Sequence, residues 1–237
     1  MKLFFSLLSF FLGFGCFLFG ENEKEIFKTV TPEFVGIDSK KLQWVDTKMN
    51  DLVANERLVG GIVMVARQGK VAHFGTYGLR DREKNLPMEQ DTIFRIYSMT
   101  KAITSVAALM LEEEGKLNLN DSISKYFPSL KKMMVLGKSG LVEPKREVTV
   151  ADLLRHTSGL TYGWSSQKEI REAHRDAGVL DRDKKLVPMV HGMSKIPLVF
   201  YPGSDWVYGC STDVLGGVVE VASGMPFDQF LKLRILE

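Results

Sequence analysis

"FRIYSMTKAITSVAALMLEEEGKL", residues 94–117, decides how the rest of the chain is read. Ile103, Val106, Ala107, Met110 and Leu111 recur at helical spacing, and Gly115 is a natural stop. At the head of this helix Ser98 and Lys101 stand three residues apart. On a helix, positions i and i+3 share a face, with β-carbons roughly 5–6 Å apart. A serine hydroxyl is a weak nucleophile until a neighbour takes its proton. A lysine serves as that base only when burial or nearby cations lower its pKa. A helix N-terminus also offers free N–H groups, which can hold an oxyanion. Alone, S-x-x-K is a weak signal, because most such pairs are a helix start and an exposed amine.

Working outward, "DSKKLQWVDTKMNDLVANERL" opens on Asp38 and Ser39, good caps, and carries Leu42, Val45, Met49, Leu52 and Val53 at helical spacing. "GGIVMVARQGKVAHFGTYGLRD" places two β-rich runs around Gln68-Gly69-Lys70 and predicts a hairpin. After Asp91 the pattern is mostly helical. "NLNDSISKYFPSL" predicts a turn and a short helix, and "VTVADLLRHTSGL" a short helix closed by Gly159. Residues 162–196, with Trp164 at their start, are polar and weakly periodic, an irregular, partly helical excursion of the kind that often binds ligands. Leu215, Val218, Val219 and Ala222 stripe a helix stopped at Gly224, and Pro226 starts another that runs to Glu237. There is no internal repeat and no low-complexity linker.

The chain has 237 residues, 45% hydrophobic and 25% charged, enough for a real core. A net charge of +2 gives no reason to expect nucleic acid as a partner. Residues 1–20, "MKLFFSLLSFFLGFGCFLFG", have one charge, Lys2, and then an apolar run before the polar "ENEKE". That is the form of a secretory signal peptide. It predicts export to the periplasm or envelope; an uncleaved membrane anchor is the rival reading. Cys16, in "LGFGC", loosely resembles a lipoprotein processing site, which would attach the chain to a membrane by a lipidated cysteine. With Cys210 as the other cysteine, at most one internal disulfide can form, and none if Cys16 is removed. His73, His174 and His191 are scattered with no metal-like spacing, so no metal site is expected.

Three ordered landmarks resemble one family: the serine β-lactamases of class C with their relatives, the D-alanyl-D-alanine carboxypeptidases and β-lactamase-fold esterases. "DTIFRIYSMTKAITSVAALMLEEEGKLNLNDSISKYFP" is similar to that family's nucleophile helix and the segment after it. "VTVADLLRHTSGL" resembles the next landmark, and "YPGSDWVYGCSTDVLGGVVEVASGMPFDQFL" the segment bearing the second catalytic motif. The resemblance runs from about residue 34 to the end. It implies an α/β, β-lactamase-like (penicillin-binding transpeptidase-like) fold: an antiparallel sheet domain, beginning with the N-terminal helix and hairpin to about residue 80, and a mostly helical part from about residue 90, with the site between them. It implies Ser98 as acylated nucleophile, Lys101 as its partner and Tyr208 as the tyrosine of the Y-x-N motif. Cys210 then occupies the substrate-binding position held by asparagine, whose hydrogen bonds a thiol does not reproduce. That weakens the expectation of strong β-lactam hydrolysis; the alternative reading of Cys210 is a small packing residue. His156 is read as structural.

The family's third motif, K-T-G or H-x-G on a later strand, has no counterpart after Pro226, so the sequence reads as the first part of a longer protein with further sheet strands to come. The function implied is that of a serine hydrolase acting through an acyl-enzyme on small esters or peptidoglycan-type amides, without metal or cofactor. A β-lactam hydrolase and a non-catalytic exported binding module are the alternatives.

Overall fold

The computed structural model describes residues 28–179, 181 and 183–237; the apolar segment 1–20, with Cys16, lies outside them. The described chain forms two compact units, one ending at Arg95 and the other spanning Ile96–Glu237.

In the first unit, helix α1 (Ser39–Ala54) starts where expected. The Asp38 carboxylate accepts from the Lys40 N–H at 2.9 Å and the Lys41 N–H at 3.3 Å, satisfying donors the helix cannot. Strands β1 (Gly60–Arg67) and β2 (Lys70–Asp81) pair antiparallel, from Gly60 opposite Gly78 to Arg67 opposite Lys70. The turn is Gln68-Gly69, both at positive φ (53° and 69°), the conformation that matches strand twist in a two-residue hairpin. A two-residue strand β3 (Leu86–Pro87) completes the sheet in the order β1-β2-β3. Buried Tyr77 of β2 donates its hydroxyl to Asp46 of α1 at 2.5 Å, which fixes helix to sheet.

The second unit is built on two helices, α2 (Thr100–Glu113) and α6 (Ser211–Ser223), packed against each other. Thr104, Ala107, Ala108 and Leu111 are the buried face of α2. Val106, expected in the stripe, is 48% exposed instead, so the inward face is rotated from the sequence expectation. Ala107 and Leu111 of the expected stripe are buried, and Thr104 and Ala108 extend the inward face beside them. Helix α6 is buried nearly all round, from Ser211 through Val219, as befits a central helix. Helices α3 (Val150–Arg155), α5 (Leu186–Met193) and α7 (Phe227–Leu231) pack on it.

Three local features refine the sequence reading. Helix α3 ends at His156, in the left-handed conformation (φ 58°), not at Gly159. Gly159 serves close approach instead: a β-carbon there would lie 2.7 Å from the Phe200 carbonyl oxygen. Residues 162–196 contain two helices, α4 (Lys168–Ala177) and α5; Ile170, His174 and Ala177 are the buried face of α4, and a histidine and an alanine make a faint stripe. A small hairpin of β4 (Val135–Gly137) and β5 (Gly140–Val142) lies where no strand was expected.

Asp152 anchors α3 to its surroundings. It is fully buried and accepts from Arg146 Nη1 (2.5 Å) and Nη2 (3.0 Å), from the Thr149 N–H (3.0 Å) and hydroxyl (2.9 Å), and from the Thr157 hydroxyl (2.8 Å). Burial alone would push its carboxyl up; these bonds outweigh burial and hold it at about 2. Its folded value lies below the unfolded one near 3.8, so its contribution to stability is present above pH 4 and is lost between about pH 4 and 2. Asp152→Ala is expected to destabilise by about 2–4 kcal/mol at neutral pH. Denaturant titrations at pH 7 and near pH 2 check this; an equal penalty at both would overturn it.

Candidate active site

The second unit alone brings together the three residues expected to carry chemistry. Ser98 sits in a short 3-10 turn, Tyr97–Met99, that feeds directly into α2. Tyr97 is forced to a positive φ of 44°, a conformation that costs a non-glycine residue about 1–3 kcal/mol and persists only when its surroundings impose it. The strained residue immediately precedes Ser98, whose side chain is left exposed. Lys101, one turn along, is partly buried, as its place at the head of α2 suggested.

Tyr208 arrives from 110 residues away. The Val207 N–H donates to the His156 carbonyl at 3.1 Å, tying this segment to the end of α3. Gly209 lets it lie close on residues 160–161; a β-carbon there would be 2.2 Å from the Leu160 carbonyl oxygen. Tyr208 Oη consequently stands 2.6 Å from Ser98 Oγ, and either hydroxyl can donate. Lys101 Nζ lies 3.5 Å from Ser98 Oγ and 4.7 Å from the centroid of the Tyr208 ring. The Lys101 bond to the phenol, and after it the Ser98 bond, draws the Tyr208 pKa below the ordinary phenol value, because both favour the anion.

Two further residues complete the cluster. Tyr162 Oη is 3.5 Å from Lys101 Nζ and donates to Asp213 Oδ2 at 3.4 Å. Burial, and then the Asp213 charge, push the Tyr162 phenol up, so it stays a neutral hydrogen-bonding group. Asp213, in the first turn of α6, keeps contact with water yet is crowded by protein; that crowding pushes its carboxyl up, and Lys101 pulls against it. Neither residue was singled out from the sequence. Tyr162 is 61 positions from Lys101, and an acid in a helix's first turn is common for dipole reasons.

His156 closes α3 and stacks on Tyr208 at 5.2 Å between centroids. Burial, and then Lys101, lower its pKa. The rings run in one row: Trp164 on Tyr162 (4.3 Å), Tyr162 beside Tyr208 (5.9 Å), Tyr208 on His156, and His156 against Trp206 (6.2 Å).

Of the two readings of Cys210, the structure favours the packing residue. In the substrate-binding position of the motif, it is only 1% exposed. Its thiol points inward, donating to the Thr161 carbonyl at 3.0 Å and lying 3.7 Å from Met193 Sδ. Burial pushes the thiol pKa up, and its contacts are those of a buried packing group. Among the described residues no cluster of His, Cys, Asp or Glu has the form of a metal site.

The fold and the cluster together define a class. The chain belongs to the beta-lactamase family, which matches residues 45–237. It is 36% identical to esterase EstB of Burkholderia gladioli over 186 residues, 77% of this chain and 45% of that protein. It is 29% identical to monacolin J acid methylbutanoyltransferase of Aspergillus terreus, over 81% of this chain and 48% of the other. Among solved structures it is similar to EstCE1, a hydrolase with promiscuous acyltransferase activity (TM-score 0.71, 29% identity, 83% of this chain and 51% of that one). The chain spans about half the length of the curated relatives it matches.

Proposed function

We propose that this chain carries the nucleophile and the proton-transfer pair of a serine hydrolase that cleaves esters through an acyl-Ser98 intermediate. The observation that carries the reading is the 2.6 Å contact between Ser98 Oγ and Tyr208 Oη, with Lys101 Nζ over the Tyr208 ring. Tyr208, its anion favoured by Lys101, takes the Ser98 proton as Oγ bonds to the ester carbonyl carbon. As the carbonyl–alkoxy bond breaks, Tyr208 returns that proton to the departing oxygen. Water then attacks the acyl-enzyme; its proton passes through Tyr208 to Ser98 Oγ, and the acid is released. Tyr162, held neutral, supports the Lys101 ammonium and restrains its rotation. An acyl-enzyme also passes its acyl group to an alcohol in place of water, and the acyltransferases among the relatives favour that as a second outcome.

Esters are preferred to β-lactams in this reading, because the position that holds an amide donor in β-lactamases is a buried thiol. The full-length protein is expected to show a higher kcat/KM for p-nitrophenyl acetate than for nitrocefin, with a fluorophosphonate label on Ser98. A large preference for nitrocefin, or a label on another residue, would overturn it.

A further inference from the structure

We infer that Trp164 is a specificity-determining residue: its open indole face receives a flat, apolar group, aromatic above all, on the alcohol portion of the ester. This rests on the esterase reading of Ser98 and Tyr208 and adds the class of substrate to it.

Trp164 is 70% exposed, although its indole lies only two rings from the reactive phenol. Tyr162 covers one face at 4.3 Å, with the ring planes 25° apart. A lone surface tryptophan would need no explanation. This one stands in a hydrogen-bonded turn. The Ser165 N–H closes a turn onto the Tyr162 carbonyl at 3.2 Å. From α4, Arg171 Nη1 donates to the Ser165 carbonyl at 2.9 Å and to the Ser166 carbonyl at 2.7 Å. From beneath, Cys210 Sγ holds the Thr161 carbonyl. Fixing a turn costs conformational entropy of about 1–2 kcal/mol per residue. Here that order presents an indole to water rather than to the core.

The chemistry decides which part of a substrate lies there. The oxygen that leaves must take a proton from Tyr208, so it lies beside the Tyr208 hydroxyl. The next ring in the row is Tyr162, and beyond it Trp164. A substituent on the leaving oxygen that extends this way meets a prearranged aromatic surface. A saturated two-carbon group is too short and too narrow to stack on it. Tyr97 and Met99, which flank Ser98 in sequence, are 75% and 67% exposed and extend the apolar surroundings of the nucleophile.

The test uses the full-length protein and two acetates with one acyl group, 2-naphthyl acetate and ethyl acetate. In Trp164→Ala the ratio of kcat/KM, naphthyl over ethyl, is expected to fall about tenfold, the scale of one good aromatic pair. The loss should lie mainly in KM, and Trp164→Phe should restore most of it. Equal losses on both esters, or no loss on either, would overturn the inference; so would a loss that phenylalanine does not rescue. Fluorophosphonate uptake at Ser98 is measured on the same samples. Its absence in the wild type would defeat the esterase reading itself. Normal uptake with an unchanged ratio would defeat only the role of Trp164.

Discussion

Ser98→Ala is expected to lower kcat for an ester by roughly 10⁴-fold or more, the scale seen when a covalent nucleophile is removed from a preorganised site. The hydroxyl contacts the Tyr208 phenol and Lys101 Nζ, and Lys101 in turn reaches the Tyr162 phenol. Ser98 is exposed and on a turn, so deleting one oxygen leaves no cavity and no orphaned buried partner. Thermal stability should therefore change little, and removal of the bond to Tyr208 is the main local consequence. Turnover that persists within about tenfold of wild type would show that Ser98 is not the nucleophile.

Lys101 and Tyr208 are expected to fail as a unit. Lys101→Ala and Tyr208→Phe should each lower kcat by about 10²–10⁴-fold, the range for a positioned acid or base. The double variant should lose far less than the product, because each residue works through the other. Their pH dependence separates the roles. In the proposed mechanism Tyr208 acts as its anion, so activity is expected to rise as pH rises through its depressed pKa. Removing the Lys101 ammonium takes away the first cause of that depression. The acid limb of the residual activity in Lys101→Gln should thus move to higher pH. Additive losses, or an acid limb that stays in place, would separate the two residues.

Much of this arrangement was legible in the chain. Helix α2 and the Gln68-Gly69 hairpin arise from periodicity and turn chemistry, and the pairing of Ser98 with Lys101 from helix geometry. Tyr208 was identified only through its resemblance to a motif, since its approach to Ser98 depends on contacts at residues 156 and 160–161 that no local pattern encodes. Tyr162 and Asp213 were silent for the same reason: their roles exist only once α2, α6 and the turn after α3 are packed together. Val106 misled because the inward face of α2 runs through Thr104, Ala107, Ala108 and Leu111, and a polar residue and alanines mark it only faintly. Cys210 left two readings open in the sequence, because a motif position does not state which way its side chain turns; here it is buried.

The row of rings has a spectroscopic consequence. Of the three tryptophans, Trp44 stands in α1, while Trp164 and Trp206 occupy opposite ends of the row that holds Tyr208 at its centre. Their emission is a built-in optical reporter of what happens between them. A chromophoric ester seated on Trp164 would quench one end by energy transfer. At the other, His156 stays neutral to a lower pH than an ordinary histidine, so the quenching of Trp206 by a charged imidazole sets in only under more acidic conditions. Variants carrying a single tryptophan would let the two ends be watched separately in one stopped-flow trace, with no label added.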